Sequence, residues 1–378
     1  MLFSVAQPDL LLAAVSENVA AALRLDPEEL IGGRIGQFLD DRSAERLTAL
    51  LRGDSIASSV TVQLRHPAPP SQWDAMVHRS GRLNLVELEP RSADDVGERL
   101  SDQVRSGIER IRTGIERIRQ SAGVAEACVA LAQAIRALSG YDRVMVYRFD
   151  ANWNGEVVAE DKLAEMHAYF GHSFPASDIP AQARALYVHN AFRLIPDARY
   201  TPCRIVPAID PTTDAPIDLS GANLRSVSPI HCEYLANMDV VGSMSVSVIK
   251  DGALWGLVAC HHRTARFVSY AVRQSCELLT LAMTSYLDTS ERISFAHAIE
   301  SVRTLETAAT GGLHEKHDCR GVLESIAPAL LDQAGAQGMA LYIQTDPWMT
   351  GITPSAGQIA DIASWLSAEG KQALFTDR

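Results

Sequence analysis

Between Phe174 and Arg184 the chain reads FPASDIPAQAR, and one carboxylate, Asp178, stands between Pro175 and Pro180. Each proline fixes its own φ at about −65° and biases the preceding residue towards extended backbone. A backbone stiffened in this way holds Asp178, Ile179 and the neighbouring carbonyls in one place. Rigid, polar and flanked by aromatic side chains, the segment has the makings of a ligand grip. Taken alone, an aspartate between prolines is more at home in a tight turn, so its companions must decide.

Those companions include two histidines, His231 and His261, and two arginines, Arg193 and Arg225. An arginine fork matches a carboxylate in a bidentate way that lysine does not. In isolation the histidines read as core or surface residues, and the arginines as solvated charges. No Gly-rich phosphate loop, nucleophile elbow or H-E-x-x-H motif appears, so no enzyme chemistry is expected. The six cysteines (Cys128, Cys203, Cys232, Cys260, Cys276, Cys319) are scattered without metal-ligand spacing, as in a reduced, cytoplasmic protein.

The elements that must position these residues follow from periodicity. Up to residue 91, a strand at Leu10–Val15, helices at Glu17–Leu25 and Pro27–Ile31, and strands at Ser59–Leu64, Asp74–Arg79 and Leu83–Glu89 suggest an α+β sensor module of the PAS kind. Residues 92–120 read as a charged helix containing the tandem heptad RSGIERI-RTGIERI. Ile108, Ile111, Ile115 and Ile118 recur in it at seam spacing. This helix either packs on its own domain or joins a parallel dimer interface. Residues 121–290 form the largest unit: a helix from Cys128 to Leu138, a strand at Arg143–Phe149, and a proline-rich insertion over 150–225. Strands at Gly242–Lys250 and Ala253–His261 follow, joined by the hairpin dipeptide Asp251-Gly252. That order fits a GAF domain. A helix is expected over 269–310, and residues 311–378 give a helix, a strand at Met339–Ile343 and a helix near Ile359–Leu366. A chain of 378 residues with 47% hydrophobic content accommodates two or three such domains. Its net charge of −12 offers no basic field for nucleic acid, and no apolar run approaches bilayer length.

Several segments together carry a more specific likeness. They are Tyr141 to Phe149, Phe174 to Tyr187, Arg193-Leu194-Ile195, Leu224 to Leu235 with Asn237-Met238, and Leu254 to His262. In content and order they resemble the chromophore domain of the bacteriophytochromes. The resemblance implies tandem PAS and GAF domains, antiparallel sheets flanked by helices, long connecting helices, and an incomplete GAF-like PHY domain over 311–378. It implies biliverdin, a linear tetrapyrrole, as the cofactor, red or far-red light as the stimulus, and a homodimer as the working state.

The resemblance also distributes roles. Asp178, through its backbone carbonyl, and His231 would face the pyrrole nitrogens. Arg193 and Arg225, with Tyr187, would hold one propionate, and Ser243, Ser245 and His231 the other. His261 would hydrogen-bond the carbonyl of the last ring. Tyr147, Phe174 and Tyr234 would box that ring, with Tyr169 in the same wall. Ile179, Pro180 and Ser228 would belong to the same surroundings by their position in these motifs.

Other family features are missing from this sequence. Attachment of the pigment would require a cysteine upstream of the PAS domain, and that segment is not here, so non-covalent binding is expected. The knot that this segment forms with the chromophore domain is expected to be absent. The position before His231, where relatives carry an attachment cysteine, is Ile230, and Cys232 reads as a buried packing thiol. No tongue motif and no histidine-kinase output region follow. The runner-up reading is a light-independent PAS–GAF scaffold used for dimerisation.

Overall fold

Apolar runs near the N-terminus pair into an antiparallel sheet. Its strands are β1 (Leu2–Ala6), β2 (Leu11–Ser16), β3 (Ser59–Gln63), β4 (Gln72–Ser80) and β5 (Leu83–Pro90). Between β2 and β3 lie α1 (Val19–Leu23), α2 (Pro27–Leu30) and α3 (Asp41–Arg52). Asp40 caps α3 by accepting the Ser43 N–H at 2.7 Å, and Gly53 ends it at φ 83°. Phe3, Leu12, Leu47, Leu51, Val86 and Leu88 form the core between sheet and helices. The computed structural model describes residues 1–53, 58–65, 72–91, 99–210, 213–316, 319–343 and 346–369.

The second sheet follows two helices, α4 (Arg99–Gln120) and α5 (Val124–Ser139). Its first strands are β6 (Arg143–Phe149), β7 (Gly155–Lys162) and β8 (Ser173–Phe174). The insertion then contributes α6 (Ala181–His189), β9 (Phe192–Ile195), β10 (Ile205–Val206), β11 (Ile209–Asp210), β12 (Ala215–Pro216) and α7 (Pro229–Asn237). Strands β13 (Gly242–Lys250) and β14 (Ala253–His262) close the hairpin at Asp251 and Gly252, both at positive φ as the sequence predicts. The strand order is β8-β7-β6-β14-β13-β9.

One face of this sheet, carrying Val144, Val146, Met244, Val246, Val248, Val258 and Cys260, packs with Ile118, Leu131, Ile135, Leu279 and Met283 in one core. Leu279 and Met283 belong to α8 (Tyr270–Lys316), longer than the 269–310 expected. The heptad helix α4 packs here: Ile118 is fully buried, whereas Ile108 remains 60% exposed. Gly114 explains its own presence, because a Cβ there would lie 2.9 Å from the Ala134 Cβ and 2.8 Å from Leu279 Cδ2. Its helix-propensity cost of about 1 kcal/mol is offset by this close approach.

The first two domains are joined by a strand pairing, a contact distinct from the knot named above. β10 leaves the insertion and pairs with β2 of the first sheet, Ile205 opposite Ser16 and Val206 opposite Val15. Glu17 N–H also donates to the Arg204 carbonyl at 2.8 Å. The insertion supplies this contact from its own backbone, so no upstream segment is needed for it.

By its contacts the chain divides into Met1–Asp288 and Thr289–Arg378. The second unit contains α9 (Cys319–Ala334), the antiparallel pair β15 (Gly338–Ile343) and β16 (Asp346–Gly351), and α10 (Ala356–Ala368). Ser355 and Gln358 form a capping box at the start of α10. Among the described residues no helix is long and apolar enough to cross a membrane, and no group of acidic, histidine or cysteine side chains could hold a metal ion.

Within the first unit, Arg273 near the start of α8 forms a buried ion pair with Glu89 of β5. The guanidinium also lies 5.1 Å from the Phe192 ring centroid and 5.5 Å from that of Tyr270. Burial pushes the Glu89 carboxyl up to about 7, outweighing the pull of Arg273. A carboxyl raised on folding favours the native state when protonated. Its contribution is complete below the ordinary value of 4.5 and is lost as pH rises through about 7. Denaturant unfolding of wild type from about pH 5 to about pH 8 should therefore lose on the order of 2 kcal/mol more than Glu89→Gln over the same range.

Candidate functional site

Strand alternation sorts the second sheet into two faces. With Met244, Val246 and Val248 committed to the helical core, Ser243, Ser245 and Ser247 of β13 turn to the other face, under the insertion. The register places Arg193 beside Ser245, and His261 and Ile195 on either side of Ser243. Ser247 Oγ donates to the Tyr187 carbonyl at 2.7 Å, which ties α6 and its half-buried Tyr187 to the sheet.

The Asp178 segment forms a single 3₁₀ turn, Ala176–Asp178, followed directly by Pro180 and α6. Its rigidity has a source besides the prolines. Arg184 Nη1 donates to the Ala176 carbonyl at 3.2 Å and to the Ile179 carbonyl at 2.5 Å, and its guanidinium lies 4.7 Å from the Trp153 ring centroid. Asn154, itself held by Asp150, accepts the Ala176 N–H at 3.2 Å. The Asp178 side chain is exposed, Ile179 half-buried and Pro180 exposed.

His261 is buried, and its Nδ1 lies 2.9 Å from Arg143 Nη2. A guanidinium can only donate, so Nδ1 is the acceptor and the imidazole proton resides on Nε2. Burial, reinforced by Arg143 and His231, pushes His261 down to about 3, so the ring stays neutral. The result is one fixed N–H donor at Nε2. Arg143 is itself held by the His167 carbonyl at 3.0 Å and stacks 4.5 Å from the Tyr169 centroid.

Arg193 is buried between β13 and the insertion, donating to the Asn223 carbonyl at 3.4 Å and closely to that of Arg225. Burial, followed by repulsion from Arg225, pushes Arg193 down to about 10. Burial lowers Arg225 as well. His231, on α7, keeps an exposed face, and the protein around it, then the charge of Arg193, lower it from its ordinary value. Three cationic or potentially cationic groups thus crowd one region, and each is destabilised in its charged form. An anion there would relieve all three.

The aromatic residues gather close by. Tyr147 lies 5.2 Å from Phe149 and 6.0 Å from Phe174, and Phe174 lies 6.3 Å from Tyr169. Tyr234 stacks on His231 at 6.3 Å. Room for the Tyr147 ring comes from Gly155, where a Cβ would lie 1.7 Å from the tyrosine Cζ. Tyr147 and Tyr234 both feel the charge of Asp178, and Tyr234 also feels Arg143, so the aromatic and polar groups share one region. Ser228 precedes α7 as its N-cap without a side-chain capping bond and is exposed. Cys232 is half-buried rather than fully packed, because α7 has one buried residue, Leu235, and leaves Ile230 77% exposed.

Sequence reasoning gave no role to Arg143 or Arg184, the residues that orient His261 and staple the Asp178 turn. Their signal was present: both stand inside the motifs that carry the family likeness.

A PAS fold model matches residues 1–91, a GAF domain model residues 124–285 and a phytochrome region model residues 302–378. Cyanobacterial phytochrome B of Nostoc sp. is 34% identical over 372 residues, covering 97% of this chain, and the bacteriophytochrome of Xanthomonas campestris pv. campestris is 38% identical over 316 residues, covering 83%. The chain spans about half the length of these curated relatives, 48% of each. Among solved structures, a bacteriophytochrome from the photosynthetic bacterium R. palustris superposes with a TM-score of 0.87 at 36% identity, over 99% of this chain and 74% of that one. The photosensory core module of a Stigmatella aurantiaca phytochrome does so at 0.84 and 36%, over 100% of this chain and 74% of that one. With that coverage and identity, and with the PAS, GAF and phytochrome-region matches in order, the chain belongs to the bacteriophytochrome family, as a PAS–GAF photosensory module with part of the phytochrome region.

Proposed function

We propose that the GAF face just described binds a linear tetrapyrrole, biliverdin, without a covalent bond, and that the chain is the sensory part of a red/far-red photoreceptor. The observation that carries this reading is the crowding of Arg193, Arg225 and His231, which seeks an anion, next to the neutral donor His261. A bilin is a dianion at its propionates and a polar conjugated body elsewhere, so it matches both ends.

Arg225 and Arg193, with Tyr187, would take one propionate, and Ser243, Ser245 and His231 the other. The carbonyl of Asp178 and His231 would face the pyrrole nitrogens, with Ile179, Pro180 and Ser228 shaping the wall beside them. His261 Nε2–H would donate to the carbonyl of the terminal ring, inside Tyr147, Tyr169, Phe174 and Tyr234. When bound, the pigment would supply red absorption and a double bond that isomerises. The chain's own part is to keep the proton on His261 Nε2 through Arg143, to exclude water with the aromatic wall, and to anchor the charges. These features favour the photoreceptor over a light-independent scaffold, which has no use for crowded arginines.

Dimerisation is the second half of the proposal. Leu278 and Leu281, and further along the same helix Phe295, Ile299 and Val302, are exposed by 50%, 57%, 67%, 39% and 53%. In sequence these five keep one heptad register, which supports a helical homodimer interface. A histidine-kinase output would act from elsewhere in the whole protein or from a separate chain.

Purified protein mixed with biliverdin should develop a red absorption band that survives gel filtration and is lost on denaturation. No band would remove the photoreceptor reading, and a band surviving denaturation would remove the non-covalent one. Arg193→Ala combined with Arg225→Ala should weaken pigment binding at least about tenfold, whereas a scaffold would keep its dimer and show no such change. For the dimer, Leu281→Glu with Phe295→Glu should shift sedimentation to the monomer; unchanged sedimentation would place the interface elsewhere.

A further inference from the structure

The segment that presents Arg225 is held from both sides, and one of those holds comes from the other domain. Glu87 of β5, 2% exposed, accepts the Asn223 N–H at 2.8 Å on Oε2 and the Leu224 N–H at 2.9 Å on Oε1. The same Oε2 lies 2.9 Å from His78 Nε2 on β4. From the opposite side Arg193 takes the carbonyls of Asn223 and Arg225, and Arg225 Nη1 folds back on the Ala222 carbonyl at 2.8 Å. Asn223 and Leu224 are therefore gripped at their N–H groups by a carboxylate of the PAS sheet, and Asn223 and Arg225 at their carbonyls by a guanidinium of the GAF sheet.

A buried carboxylate is costly unless its oxygens are fully bonded, and here the bonds go to two consecutive backbone amides rather than to a cation alone. Burial would raise the Glu87 carboxyl, but His78 and the two backbone N–H groups hold it below its ordinary value. Its charge also acts on both guanidiniums, opposing the shift that burial imposes on Arg193 and Arg225. Glu87 thus fixes where the Arg225 backbone sits and offsets part of the repulsion between the two guanidiniums.

We infer that Glu87 is the positioning residue for the Arg225 end of the pigment site, so that the PAS sheet sets how well the GAF pocket recognises a propionate. This rests on the bilin reading for its ligand. The effect is on recognition of a carboxylate, not on the apolar body of the pigment, and that distinction makes it testable.

Biliverdin and its dimethyl ester are titrated against wild type, Glu87→Gln, His78→Ala and Arg225→Ala. Glu87→Gln should cost about tenfold in affinity for the free acid and leave the ester within about twofold. His78→Ala, which spares both backbone amides, should give a smaller loss of the same kind. Glu87→Gln added to Arg225→Ala should cost no more than Arg225→Ala alone. Equal losses for acid and ester, or additive losses in the double variant, would reduce Glu87 to a packing role and overturn the inference. Should wild type bind neither pigment, the bilin reading falls, and amide exchange in the pigment-free protein still decides the positioning: Asn223 and Leu224 should exchange at least about tenfold faster in Glu87→Gln, with distant β13 amides unchanged. Unchanged exchange at those two amides would overturn it independently.

Discussion

Everything in the GAF half depends on the two-residue repeat of its strands. Once Met244, Val246, Val248, Val258 and Cys260 are buried against the helices, Ser243, Ser245, Ser247 and His261 have nowhere to go but the opposite face. A slip of one residue in β13 would send three serines into an apolar core and three apolar side chains into the site. The Asp251–Gly252 turn, with both residues at positive φ, pins that register from one end. The packing core and the binding face are therefore one specification written on alternate residues.

Charge arrangement adds a second layer. β5 buries two carboxylates two residues apart, and they do different work. Glu89 meets Arg273 at the start of the long helix α8, while Glu87 meets the backbone beside Arg225. One strand of the first domain thus touches both the loop that presents Arg225 and the helix that leaves the domain. Across the sheet, Arg143 does for His261 what Glu87 does for Arg225: it fixes a state, here a tautomer, that the residue could not hold alone.

Much of this was legible in the sequence because local signals agreed with the fold. Gly242–Lys250 and Arg143–Phe149 are legible with the bounds the structure gives, the first because serines alternate with apolar residues and the second because it is a short run of β-branched, aromatic and apolar residues closed by Asp150. The site residues could be named because they cluster in ordered motifs. The bounds of β1 were not legible, because the strand has five residues and, with Phe3, Ser4 and Val5 all buried, no alternation of buried and exposed positions marks its ends. Arg143, Arg184 and Glu87 escaped for a different reason. Their partners are an imidazole, backbone carbonyls and backbone amides at sequence separations of 118, 5 to 8 and 136 to 137 residues, and most such pairings leave no trace in the pattern around each residue. The pairing of β10 with β2 was not legible either, because a strand of two residues, Ile205 and Val206, carries no pattern of its own.

That strand, β10, has a consequence for how the chain comes into being. It caps the outer edge of the first sheet, pairing with β2 across the rest of the first domain and about half of the second. Until the insertion has been synthesised and has reached back, β2 presents unpaired backbone groups, which are a template for association with other chains. A polypeptide emerging from the ribosome would carry an exposed sheet edge through the making of about half its length, so its early hazard is self-association rather than failure to collapse.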